Sequence, residues 1–267
     1  MNEPKKLKNM KKYFTILSLV ALVVMTMTSC MHVKVGGKDW SLDGHKNNTP
    51  TQVHQVDQET AMNAFDHVNV VGPFNVIYTQ GEGHNVRVKG TAEQLAKMTI
   101  YVEDGELYID YRKKEPSGTF DGLQVFVTSP TLEGVDLAGS GSVTVPEALK
   151  VNDIRLELAG SGKITLAQLN CNDLTNEIAG SGDVTMGIVQ ANSVNNDIAG
   201  SGNIEMASLT CKDVDNDIAG SGDIKINGMN VEHVKNDIAG SGDIHLNGNI
   251  GSHEDDIAGS GKVHINE

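Results

Sequence analysis

Asp217-Ile218-Ala219-Gly220-Ser221-Gly222-Asp223-Ile224 is the stretch whose reading decides the fold, because near-copies of it recur to the C-terminus. The Ala-Gly-Ser-Gly core begins at Ala138, Ala159, Ala179, Ala199, Ala219, Ala239 and Ala258, in steps of 21, 20, 20, 20, 20 and 19 residues. A fixed period of this length is the signature of a solenoid, in which each repeat buries its apolar face only by stacking on its neighbours.

Aligned on the alanine, the repeats resolve into columns. One residue before it stand Leu137, Leu158, Ile178, Ile198, Ile218, Ile238 and Ile257. Five after it stand Val143, Ile164, Val184, Ile204, Ile224, Ile244 and Val263; seven after it stand Val145, Leu166, Met186, Met206, Ile226, Leu246 and Ile265. Even spacing puts these residues on one face of a strand, which predicts the core. Ile154, Leu174, Val194, Val214 and Val234, five before the alanine, extend it. The two glycines have inward parity, as at Gly220 and Gly222. They mark either a bend too close for a Cβ or a turn needing positive φ.

Asn176, Asn196, Asn216 and Asn236, three before the alanine, also face inward. At the strand spacing of about 4.8 Å their amides can hydrogen-bond up the stack as a structural ladder. Two before the alanine, facing outward, stand Asp136, Glu157, Glu177, Asp197, Asp217, Asp237 and Asp256. Like charges at strand spacing repel, so cations, main-chain donors or solvent must offset them. Calcium takes such oxygen ligands, with Asp197, Asp217 and Asp237 as the candidates. The default expectation is a solvated acidic face. His245 and His264 share an outward column near His233 and His253. Imidazoles on neighbouring rungs have the donor atoms zinc takes, but the default for them is polar surface. Cys171 and Cys211 fall two rungs apart in an inward column, roughly 9.6 Å and beyond disulfide reach, so both are expected as buried free thiols.

The N-terminal part reads differently. Lys5, Lys6, Lys8, Lys11 and Lys12 precede an apolar run from Phe14 to Met27, then Thr28, Ser29 and Cys30. This order reads as a lipoprotein signal peptide over 1–29, cleaved before a lipidated Cys30. A polar, aperiodic tether follows over 30–60 and holds Trp40, the single tryptophan. Residues 61–130 carry short period-two runs, a predicted helical turn at Gln94–Met98 and a hairpin at Asp104-Gly105. They are expected as an irregular β lead-in capping the solenoid of 131–267. The net charge is −14, and about −18 once five lysines and one glutamate leave with the leader. That argues against nucleic acid as a partner.

Nothing in the pattern signals catalysis. A serine repeated in seven copies is not a nucleophile, there is no Gly-Lys-Ser/Thr phosphate loop, and no cofactor is expected. A polysaccharide-active β-helix enzyme would need a local break with paired carboxylates.

Phe65-x-x-Val68-x-Val70-x-Gly72-Pro73-Phe74-x-Val76, then Leu123-x-Val125-x-Val127-x-x-Pro130-x-Leu132 and the repeated Ile-Ala-Gly-Ser-Gly-Asp-Ile, resemble the head GIN domain family. This family is described as auto-transporter adhesin heads and is common in Bacteroidetes lipoproteins. The resemblance covers roughly 61–267. It implies an all-β, right-handed parallel β-helix-like solenoid and an exported location, with no catalytic residues to carry over. No membrane barrel is read in this chain, so the lipid on Cys30 is the expected link to the membrane, most readily the outer one. The expectation is a non-enzymatic cell-envelope lipoprotein that binds an unidentified surface glycan or protein. The alternatives are the polysaccharide enzyme and a calcium-stabilised surface protein.

Overall fold

The computed structural model describes residues 55–112 and 119–266. The leader over 1–29, Cys30 and Trp40 lie outside the described residues. The chain is a β-solenoid of about seven turns with a less regular N-terminal region. Its strands are β1 (Gln55–Ala61), β2 (His67–Val71), β3 (Asn75–Gln80), β4 (Asn85–Thr91), β5 (Met98–Glu103), β6 (Glu106–Tyr111), β7 (Gln124–Ser129), β8 (Gly134–Gly139) and β9 (Ser142–Lys150). They continue as β10 (Asp153–Gly160), β11 (Lys163–Asn170), β12 (Asp173–Gly180), β13 (Asp183–Gln190), β14 (Ser193–Gly200), β15 (Asn203–Gly220), β16 (Ile224–Gly240), β17 (Ile244–Gly259) and β18 (Val263–Asn266).

Each rung lays one strand on each of two walls. The first wall stacks β10, β12, β14 and the second halves of β15, β16 and β17, all parallel. The second stacks β11, β13, the first halves of β15 to β17, and β18. On the first wall the repeat columns pair residue for residue: Ile178 with Ile198, Ile198 with Ile218, and Ile218 with Ile238. The inward side chains of both walls form one hydrophobic cluster, with Ile198, Ile218, Ile224 and Ile244 fully buried. Each contributes roughly 1.5–3 kcal/mol on burial.

The two glycines of the repeat do different jobs. Gly220 has φ +143, a region that side chains rarely enter. Gly222 lies outside that region, but a Cβ on it would stand 2.0 Å from the carbonyl oxygen of Gly202 on the rung below. Ser221 is exposed at the tip of the bend, and its N–H donates to the Gly200 carbonyl at 2.8 Å. The repeated serine is thus a corner residue.

Inside the first wall the asparagines bond in one direction. Asn176 Nδ2 donates to Asn196 Oδ1 at 2.7 Å, Asn196 to Asn216 at 2.8 Å, and Asn216 to Asn236 at 2.8 Å. All four are fully buried. Asn236 donates onward to Asp255 at 2.7 Å, so the column ends on a carboxylate, a side chain that only accepts when ionised. At the other end Asn176 pairs with Leu156, and its Oδ1 has no partner among the described residues. One buried acceptor left open costs about 1–3 kcal/mol, which four amides share.

Strand order departs from chain order at the N-terminal end. β2 and β3 form a rung of their own, between β8 and β9 on one side and β6 and β7 on the other. Val71-Gly72-Pro73-Phe74 turns this rung's corner. Gly72 has φ +125, and its N–H donates to the Ala138 carbonyl at 2.8 Å. Phe74 stands where later rungs carry their second glycine. Its ring packs against Tyr111 at 5.4 Å and Phe120 at 5.0 Å. The N-terminal end is closed by antiparallel pairing of β5 with β6 and of β4 with β7. The Asp104-Gly105 turn joins β5 and β6 with φ of 51 and 85 at the two residues. A helix, α1 (Ala92–Lys97), starts earlier than the predicted turn because Thr91 and Gln94 form a capping box. Residues 55–60, assigned to the tether by composition, belong to β1, which runs antiparallel to β4. Exposed on most positions, β1 is held by backbone pairing and carries no alternation to read.

Gly222→Ala is expected to lower unfolding free energy by about 2–4 kcal/mol in urea titration, because the approaching atom is backbone. Ser221→Ala should stay within about 0.5 kcal/mol of wild type.

Candidate interaction surface

Three outward columns cover the first wall. The carboxylate column runs in register from Asp136 through Glu157, Glu177, Asp197, Asp217 and Asp237 to Asp256. Beside it run Arg155, Thr175, Asn195, Asp215, Lys235 and Glu254, and beyond these Asp153, Asp173, Ser193, Asp213, His233 and Ser252. At about 4.8 Å between rungs the carboxylates repel unless something offsets them. Arg155 and Lys235 are the lysine and arginine side chains of these columns, four rungs apart.

Arg155 bonds Glu157 through Nε and Glu177 Oε2 through Nη2, the latter at 2.9 Å. Lys235 bonds Asp237 and reaches Asp215 Oδ1 at 3.6 Å. Burial works against its charge, but Asp237, Asp215 and Asp217 together hold the ammonium above its ordinary pKa. Between the two cations Asn195 Nδ2 donates to Asp197 Oδ2 at 2.9 Å. Each cation thus spans two rungs.

The expectation of a fully solvated acidic row is corrected here. Asp197 and Asp217 are 2% and 5% exposed. They point outward, but tight stacking roofs each carboxylate with its neighbours above, below and beside. Of the calcium candidates, Asp217 and Asp237 converge with Asp215, their carboxylate oxygens within 4.8 Å of one another, and Asp197 stands outside that group. Lys235 already supplies a cation there.

At the bend, main-chain donors do the same work. Asp243 N–H donates to Asp223 Oδ1 at 2.8 Å, Lys262 N–H to Asp243 Oδ1 at 2.8 Å, and Asp223 N–H to Asn203 Oδ1 at 3.2 Å. Asp223 and Asp243 thus each accept from the backbone of the next rung, while Asp183 accepts from the Asn203 side-chain amide at 2.9 Å.

Asp136, at the N-terminal end of the carboxylate column, is the most perturbed. Burial first, then the carboxylates of Glu157 and Glu106, push its pKa up to about 7, against the opposing pull of His67 and Arg155. Glu106 itself accepts from Asn69 Nδ2 at 2.8 Å and Tyr108 Oη at 2.6 Å. The sequence gives no sign of this group, because β6, β2 and β8 meet only in the fold.

Two open depressions lie along the same wall. One is lined by His67, Glu133, Asp153, Arg155, Asp173 and Thr175, the other by Asn195, Asp213, Asp215, His233, Lys235 and Glu254 among others. Both are reliefs of the columns, whose register continues unbroken through them; the register shifts of the rungs, at Leu166/Gln168 and Ile226/Met229, are on the second wall. Cys171 and Cys211 are free and buried, and burial pushes each thiol up to about 12, which leaves them unreactive near neutral pH. Among the described residues no helix is long and apolar enough to cross a membrane.

The family model described as "Putative auto-transporter adhesin, head GIN domain" matches residues 64–249 and again 217–267. Solved structures share the fold. A "putative adhesin" from Bacteroides fragilis is 24% identical with a TM-score of 0.75, covering 81% of this chain and 98% of that one. A "putative adhesin" from Parabacteroides distasonis is 20% identical with a TM-score of 0.69, covering 80% and 98%. A "Putative lipid binding protein" from the same species is 22% identical with a TM-score of 0.65, covering 80% and 97%. No curated protein matches the chain.

Asp136 sets a pH dependence with a definite sign. Its folded pKa lies above the ordinary carboxylate value, so the folded state holds the proton more tightly. The stability it contributes is full below about pH 4 and is lost as pH rises toward 7. Asp136→Asn is expected to remove that decline and to stabilise the protein at pH 8 by roughly 1–2 kcal/mol, less than the full linkage because the carboxyl keeps some solvent access. Urea unfolding of both proteins from pH 4 to about 8 checks it.

Proposed function

The chain belongs to the head GIN domain family, and from that premise we propose that it is a non-enzymatic surface-interaction module of the cell envelope. The described solenoid displays a long wall of stacked strands, and the family description supports a role in surface contact. In this reading the leader over 1–29 directs export, lipid on Cys30 anchors the protein in the outer membrane, and the segment after it sets the wall away from the bilayer. A lipid anchor with several acyl chains gives stable attachment.

The observation that carries the reading is the carboxylate column from Asp136 to Asp256, held in register over seven rungs. Among the described residues its lysine and arginine partners are Lys235 and Arg155, fewer than its carboxylates, so the wall keeps a negative field. Such a field steers a positively charged partner and gives specificity more than raw affinity. We assign the partner as a cationic protein surface. The unbroken register of the wall supports a binding role over polysaccharide cleavage, which needs an interrupted groove.

Two measurements test this. In detergent phase partitioning, the wild-type chain should enter the detergent phase and Cys30→Ala the aqueous phase; a wild type that stays aqueous removes the anchor. On arrays of surface proteins and glycans, binding should concentrate on basic proteins and weaken as salt rises from about 50 to 500 mM. It should fall at least about tenfold in the Asp173→Asn/Glu177→Gln/Asp213→Asn variant. Salt-insensitive binding to neutral glycans would shift the contact away from this wall.

A further inference from the structure

Asp243, His245 and His264 stand on the second wall at the last two rungs, apart from the acidic wall. We propose that they form a binding site for a divalent transition-metal ion, zinc above all. The inference is independent of the adhesive role.

His245 and His264 are direct partners on β17 and β18. Their rings stack 4.7 Å apart at 7°. Asp243 lies two residues before His245, on the same outward parity. One ligand atom from each of the three falls within 4.8 Å of the others, and all three side chains are partly exposed. Zinc–ligand bonds of 2.0–2.2 Å in a tetrahedron place donor atoms about 3.4 Å apart. Side-chain rotation alone closes that gap, while the strands stay in register.

Three features distinguish this cluster from ordinary polar surface. Along the same column the preceding rungs carry Thr165, Thr185, Glu205 and Lys225, so the paired imidazoles enter only at the end. The stacked rings set the nitrogens of two imidazoles side by side, the donor type that zinc takes. The Asp243 carboxylate is held by the Lys262 N–H on Oδ1 at 2.8 Å, which leaves lone pairs for a metal and fixes its aim. Two imidazoles and one carboxylate suit zinc and its neighbours better than calcium, which prefers oxygen throughout. The remaining coordination position is open to water or to a donor from a bound partner.

His233 and His253 do not join. His233 bonds Ser252 Oγ at 2.8 Å and His253 lies 3.7 Å from Asp255, both on the first wall. The Asp215, Asp217 and Asp237 cluster is the useful contrast, because Lys235 stands among its carboxylates. Here the adjacent Lys225 turns instead to Glu205 at 3.5 Å.

Isothermal titration of the full chain with zinc chloride should show one site that His245→Gln and His264→Gln each weaken at least about tenfold, with cobalt giving a visible ligand-field band only in the wild type. Independently of any variant, zinc should protect His245 and His264, but not His233, from diethylpyrocarbonate, read by peptide mass spectrometry. No saturable zinc uptake, uptake unchanged in the His245→Gln/His264→Gln variant, or no protection of the pair overturns the site.

Discussion

The approach of one bend to the next is the constraint on which this structure depends. At Gly222 the backbone of one rung comes so close to the Gly202 carbonyl below that no Cβ fits. That contact repeats at each corner and fixes the vertical spacing of both walls. With spacing and register set, every side chain meets its own copy above and below. A single residue choice then becomes a column, with its benefit or its cost multiplied.

The columns show how that multiplication is managed. Isoleucines and valines gain burial at every rung. A buried asparagine would be costly alone, yet Asn176 to Asn236 satisfy one another and hand the last donor to Asp255. Outward carboxylates would repel, yet Arg155, Asn195 and Lys235 neutralise or bond them in turn. At the bend, backbone N–H groups take the same part. The result is an acidic wall that is neutralised in part and keeps a negative field.

The ends obey other rules, because an end has a neighbour on one side only. At the N-terminal end Phe74 takes the position of the second glycine, and its ring meets Tyr111 and Phe120. Antiparallel strands then cover the rung. In the last rungs the columns drift to histidine and acid, and that drift brings together the residues of the proposed metal site.

The sequence by itself determined the solenoid, its seven corners, the inward isoleucines, the inward asparagines and the outward acids, because each follows from the period of 20 and from parity. It also showed that the glycines are architectural, without assigning positive φ to Gly220 and close approach to Gly222. Only the tertiary structure decided that Val71-Gly72-Pro73-Phe74 is the corner of a rung, that β2 and β3 slot between β6/β7 and β8/β9, and that Gln55–Ala61 is a strand. Those pairings join segments distant in the chain and leave no local periodic trace. The same holds for the candidate site. Parity placed Asp197 and Asp217 outside, but the packing of neighbouring rungs buried them, and only that packing brought Lys235 to Asp215 and Asp237.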